Sequence, residues 1–380
     1  ASVSVTFKTA GSRTVTATVA SGSALTAGSS SGVAVSAGAA YRLQALLPGE
    51  TAAPGTSSGK TGTPTAQNAG SNVTVTVNAV DPYWNLVTSA TPTVDVRSLT
   101  DGDATIPPNA ALVSGTRNFT IVFGTAGLQT VTAGDTSEVL QPSTSAAVTI
   151  NPAVATQLQV LLPGETAAPG TVSGKTGTPT AQTAGSVIAV TVRAVDANWN
   201  LITTATPTVH ITSSAASATL PANAALVAGT KTFNVTLKSS GSQTVTATDL
   251  AGSSPLTTGV SAAVTITPAA ATQLIVASIG NQAATSSFSV TATLADIYGN
   301  AVENAGAAGV VSLALAAGSG SLAGTTQATM PIGVSSVTIT GVALRKAQTG
   351  VTLTATGSGA GSTVTGMTGT SGSFTISAGP

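Results

Sequence analysis

In the stretch NVTVTVNAV, from Asn72 to Val80, Val73, Val75, Val77 and Ala79 alternate with Thr74, Thr76 and Asn78. A period of two sends successive side chains to opposite faces of an extended chain. The stretch therefore predicts a strand with one face in a core and the other in water. Runs of the same kind recur along the chain, separated by Gly, Asn, Pro and Ser clusters that supply turns. The last part of the chain divides into about seven of them: 271–279, 287–295, 310–316, 321–329, 335–344, 350–356 and 372–378. No stretch of a dozen residues carries a helical apolar stripe. The pattern predicts an all-β protein, and about seven short strands per ~100 residues predict a two-sheet sandwich of immunoglobulin type.

The pattern also repeats at long range. LLPGETAAPG starts at Leu46 and again at Leu161, 115 residues on, and Asp81 and Trp84 return as Asp196 and Trp199. PPNAALV at Pro107 returns as PANAALV at Pro221, and the ATQL begun at Ala155 returns at Ala271. Shifts of one or two residues in the offset mark loop variation. A third copy begins near Ala271 without the PGET…GTP stretch, and Phe7 to Gly28 matches Leu237 to Gly259, the back half of a copy. The expected layout is thus the C-terminal half of one immunoglobulin-like domain (1–39) and three whole ones (40–153, 154–269 and 270–380). The two middle domains carry a long insert between the first and second strands. Residues 1–39 lack the front strands of their sandwich, to be completed by missing sequence or by another chain. The chain opens mid-pattern at Ala1, as an excerpted or processed chain would.

The ATQL starts, the D-x-x-x-N turn after the second strand (Asp81/Asn85, Asp196/Asn200, Asp296/Asn300) and the closing AAVTI or SFTI strand resemble bacterial immunoglobulin-like repeats. These invasin-like and filamin-like modules occur in tandem in cell-surface proteins. The resemblance implies an extracellular or cell-surface location and a role as spacer, stalk, adhesin or surface layer.

Composition narrows the class of function further. Only 6% of residues are charged, and the 12 basic and 12 acidic side chains balance. That leaves no electrostatic footprint for nucleic acid or anionic membrane. A surface so poor in charge also tolerates association, so self-assembly is the expected partnership, with surface glycans as a further candidate. Hydrophobic content of 42% can fill cores, which argues against disorder. There is no Cys for disulfides or thiolate metal sites, and no run approaches the length of a membrane-spanning helix. Short joints bearing Pro152 and Pro268 predict restricted rotation between domains and hence a stiff rod, each bead about 35–40 Å long at about 3.3 Å per strand residue.

Several constellations invite a chemical reading. Gly59-Lys60-Thr61 and Gly174-Lys175-Thr176 end like phosphate loops, but Pro54 and Pro169 stand where the leading glycine belongs and no helix follows. An elaborated loop that protrudes and packs on a neighbouring domain or subunit is expected instead, making Lys60 and Lys175 candidate assembly contacts. Trp84 and Trp199, with Tyr83 beside the first, either cover the ends of their own sandwiches or make assembly contacts. The turns at Asp81, Asp196 and Asp296 are expected to be Asx-type, their side chains bonding nearby backbone. A calcium site there, aided by Asp101 and Asp103, is the alternative, although the acids are not repeated. His210 is the only histidine, so no His triad forms within the chain, and the scattered acids form no repeated catalytic pair. No enzyme, cofactor or catalytic residue is expected. Short Thr rows read as ordinary outer strand faces rather than an ice-binding array. Lys8 and Lys238 align with Gly124, which rules out a general Lys cross-link, and the sequons at Asn72, Asn118 and Asn234 are common in a Thr-rich chain.

The expected function is that of an extracellular structural protein building a filament, stalk or surface layer. Repeats of an adhesin, or accessory domains of a large secreted carbohydrate-active enzyme, are the alternatives.

Overall fold

The computed structural model describes residues 2–22, 25–250 and 255–379, and every regular element among them is a strand. The strands enclose three separate aliphatic cores. One runs from Leu43 to Ile150, the second from Leu158 to Ile266, and the third from Leu274 to Ile376. No disulfide spans them; Val, Leu and Ile fill the space between the sheets, with Phe288 meeting Phe374 edge-on in the third.

The unit of residues 40–153 shows the topology. Arg42–Leu46 pairs with Asn72–Val80, which pairs with Thr116–Val122, all antiparallel. In the facing sheet Thr93–Arg97 lies beside Thr132–Asp135, and Ser143–Thr144 follows. The first strand changes sheets part-way. Its second half, Gln67–Asn68, runs parallel to the last strand, Val148–Asn151. Gln182–Thr183 and Gln282–Ala283 repeat this parallel pairing in the next two units. Two facing sheets joined in this order make an immunoglobulin-like sandwich, so the all-β class and sandwich architecture follow from the alternation.

Two details depart from the simple pattern. Val73, Val75, Val77 and Ala79 are buried as expected, but Asn78 on the outer face is buried too. It donates to Gln44 Oε1 and accepts from the Thr116 hydroxyl, beneath the insert. The run expected at 321–329 breaks in two: Leu322–Gly324 joins Ser336–Leu344 in one sheet, and Gln327–Met330 joins Gly309–Ala317 in the other.

The insert sits where the first strand changes sheets. There Glu50–Ala52 and Lys60–Gly62 form a small antiparallel hairpin, repeated as Glu165–Ala167 and Lys175–Gly177. In the last unit Ala271–Val276 reaches Gln282–Ala283 directly through residues 277–281. At the front, Gly11–Arg13 pairs with Val33–Val35 and Thr16–Ala17 with Gly28–Ser29, so the half-domain is one hairpin. Residues 2–8 add no further strand to it, and Val3, Val5, Leu25 and Val33 are exposed. Ser23 and Ala24 of that half-domain lie outside the described residues, as do 251–254 in the unit of residues 154–269 and the terminal Ala1 and Pro380.

Candidate functional site: the joints between units

Each D-x-x-x-N turn closes as an Asx-type turn. Asp196 is fully buried; its Oδ1 accepts the N–H groups of Asn198 and Asn200, each at 2.9 Å. Its Oδ2 accepts the N–H of Ala153 at 2.9 Å, in the linker from the preceding unit. Asp81 and Asp296 treat Gly38 and Ala269 in the same way. Burial pushes the carboxyls of Asp81 and Asp296 up, but the converging N–H donors outweigh it and hold both below the ordinary aspartate value. The N–H groups that converge on these carboxylates are the partners an Asx-type turn supplies. Asp101 lies in a different place, where it accepts Gly124 N–H at 2.8 Å, Thr125 N–H at 2.9 Å and the Thr125 hydroxyl at 3.0 Å; Asp103 is exposed.

The asparagine ending each turn crosses the joint. Asn200 Nδ2 donates to the Gly124 carbonyl at 2.8 Å, and its Oδ1 accepts Ala126 N–H at 2.8 Å. Asn85 clasps Lys8 O at 2.9 Å and Ala10 N–H at 2.7 Å. Asn300 clasps Lys238 O at 2.7 Å and Ser240 N–H at 2.8 Å. One side-chain amide thus satisfies the carbonyl of residue i and the N–H of residue i+2 in the preceding unit. Because only backbone is read, the receiving loops are free to differ in sequence: Lys-Thr-Ala, Gly-Thr-Ala and Lys-Ser-Ser. Asp101, suspected as a metal ligand, braces the middle one. Lys8 and Lys238 enter the clasp through their carbonyls. The recurrence of the Asn at the same place in three units was the available signal; its reach across the joint was not legible.

The tryptophans explain the hairpins. Trp84 and Trp199 adopt left-handed backbone, φ 70° and 68°, where the last unit has Gly299 at φ 85°. That conformation is strained for a bulky residue and persists only where its surroundings hold it. Here the ring lies on the hairpin: Trp84 against Gly59, Trp199 against Gly174, where any Cβ would collide with it. Trp199 Nε1 donates to Val172 O at 3.3 Å, and the Arg42 guanidinium stacks 4.5 Å from the Trp84 ring. The glycine of each Gly-Lys-Thr makes room for the ring. The lysine pairs with a buried glutamate, Lys60 with Glu50 at 2.6 Å and Lys175 with Glu165 at 2.7 Å. Gly59 and Gly174 carbonyls also accept from the buried Gln44 and Gln159 side chains, each at 2.7 Å. In the last unit the hairpin is missing, Gly299 replaces the Trp, and Ile275 replaces the Gln, so the set is lost together.

The hairpin also reaches back over the joint. Thr125 Oγ1 lies 3.2 Å from Pro169 O, and a Cβ on Gly170 would strike Thr125, as one on Gly55 would strike Thr9. The loop expected to protrude and pack on a neighbouring domain or subunit does meet the preceding unit, and it is also laid down on its own. The hairpin packs on its own unit through Trp and Gln and on the preceding unit through its tip. Of the candidate assembly contacts, Trp84, Trp199, Lys60 and Lys175 are engaged within their own units, while Tyr83 is partly exposed at the first joint, with Lys8 Nζ 5.8 Å from its ring centre.

No family model matches the sequence, and neither does any curated protein. Among solved structures the chain is similar to FdeC, an Escherichia coli adhesin. The identity is 16% over 91% of this chain and 100% of that one, with a TM-score of 0.30. It is similar to invasin, a bacterial integrin-binding protein, at 14% identity over 88% of this chain and 60% of the invasin chain, with a TM-score of 0.28. The D00–D0 domains of intimin give 14% identity over 58% of this chain and 98% of that one, with a TM-score of 0.29. TM-scores this low carry no function across, and the fold class stands on this chain's own ladders and cores.

Proposed function

We propose that the chain is a spacer of a bacterial surface protein, in which stacked immunoglobulin-like units are clasped end to end so that the array keeps its direction. The observation that carries this reading is the same two-point asparagine clasp at three successive joints. In each joint the linker is also tied to the neighbouring aspartate within a few residues of the last strand. A linker fixed at both ends has little torsional freedom, unlike a Gly/Ser tether. The near absence of charge suits a surface with no nucleic-acid or membrane partner. Among the described residues no cluster of His, Cys, Asp and Glu is placed to hold a metal, and we read the chain as non-enzymatic. The stalk of an adhesin is one role for such a spacer, and a filament, which would need contacts between chains as well, is the other.

Small-angle scattering with negative-stain imaging tests this. The expected particle is an extended monomer about three sandwiches long, at about 35–40 Å each. A collapsed or broadly distributed outline overturns the spacer reading, and polymers of the chain alone would establish the filament instead.

A further inference from the structure

Beside the clasp, the last two joints share a second contact. In the receiving unit the turn before the second strand carries a left-handed residue: Gly70 at φ 76°, Gly185 at φ 83° and, in the last unit, Thr285 at φ 71°. Their positions are equivalent, because each N–H donates to the carbonyl just before the clasp-receiving residue. Gly70 bonds Phe123, Gly185 bonds Leu237 and Thr285 bonds Leu344, at 2.8, 2.9 and 3.0 Å. The turn and the clasp receiver, at Gly124 or Lys238, therefore form one docking surface.

The incoming unit sets the third residue of its D-x-x-x-N turn on that turn. Asn198 rests on Gly70, where a Cβ would stand 2.8 Å from its Nδ2. Tyr298 rests on Gly185, where a Cβ would run into its ring and hydroxyl. Both seats work because glycine leaves them empty and accepts the left-handed backbone without strain. On the last unit the seat is filled by the exposed side chain of Thr285.

We propose that seat and third turn residue form a size code for docking. A glycine seat admits a unit bearing Asn or Tyr, and Thr285 restricts the far end of 270–379 to an immunoglobulin-like unit with Gly or Ala at that position. The inference rests on the joints being docked as read above, and the measurement separates the two. The chain has no cysteine, so T232C and S336C place two spin labels on exposed strand residues of adjacent units, and electron–electron double resonance reads the distance between them. The parent pair gives a narrow distribution. Gly185→Thr, whose backbone Thr285 shows to be tolerated, broadens it without unfolding either unit, and adding Tyr298→Ala restores it. An unchanged distribution in Gly185→Thr, or no recovery in the double variant, overturns the size code alone. A distribution already broad in the parent overturns the docked joint and the code together.

Discussion

Asn200 holds Gly124 across a joint: its Nδ2 donates to that carbonyl at 2.8 Å while its Oδ1 takes the Ala126 N–H. Within its own unit the same amide donates to Asp196. The same side chain therefore braces its own turn and holds the neighbour.

Asn200→Ala removes both inter-unit bonds without opening a core. The expected result is a broadened distance distribution between labels in 40–153 and 154–269, with about 1–2 kcal/mol lost from the unfolding of 154–269 at net hydrogen-bond values. Asn200→Asp is expected to be worse, since it cannot donate and sets a second carboxylate against Asp196. Equal, narrow distributions in all three proteins would deny the clasp any role in docking.

Lys175→Ala strands Glu165, whose side chain is 1% exposed and, among the described residues, keeps only the Leu162 N–H as a partner. A buried carboxylate deprived of its cation is costly, so about 2–3 kcal/mol of stability should disappear in denaturant titration. Pairing Lys175→Met with Glu165→Gln should recover part of it, because no charge is then left buried.

Gly174→Ala meets two obstacles, a left-handed backbone at φ 70° and the Trp199 ring. About 1–3 kcal/mol of destabilisation is expected, together with a red shift of Trp199 emission as the ring is expelled. Trp199→Gly in that background removes the collision but not the backbone strain. Stability should therefore recover only in part, and full recovery would show that strain at Gly174 is unimportant.

Acid should loosen the joints at Asp81 and Asp296. Both carboxyls sit below their ordinary value in the folded chain, so the unfolded chain binds the proton more readily. Their contribution is present above the unfolded value of about 3.9 and is lost as pH falls through the lower folded values. Unfolding midpoints should drop steeply below about pH 4. Asp296→Asn should be less stable near neutrality and show a flatter acid limb; an unaltered acid limb would remove Asp296 from the account.

Much of this was readable along the chain. Val73, Val75, Val77 and Ala79 declare their core face by period alone, because alternation along a strand puts them all on one side. The break at 321–329 was not, since residues on either side of Gly324 keep strand-like composition while joining opposite sheets. The Asx turns were legible because Asp and Asn bond backbone close to themselves in sequence. The place of Trp84 was not, because Gly59, on which it lies, is 25 residues earlier and carries no side chain to advertise the contact.

The sequence by itself determined the strands, the repeat of about 115 residues and the sandwich, all of which follow from local periodicity and from copies that can be aligned. Only the tertiary structure decided what the copies do to one another. The clasp of Asn85, Asn200 and Asn300 reads backbone carbonyls and N–H groups, which every residue but proline carries and which leave no mark in the letters. The seats at Gly70 and Gly185 work through the absence of a side chain. Such contacts become visible only when the two units are brought together in space.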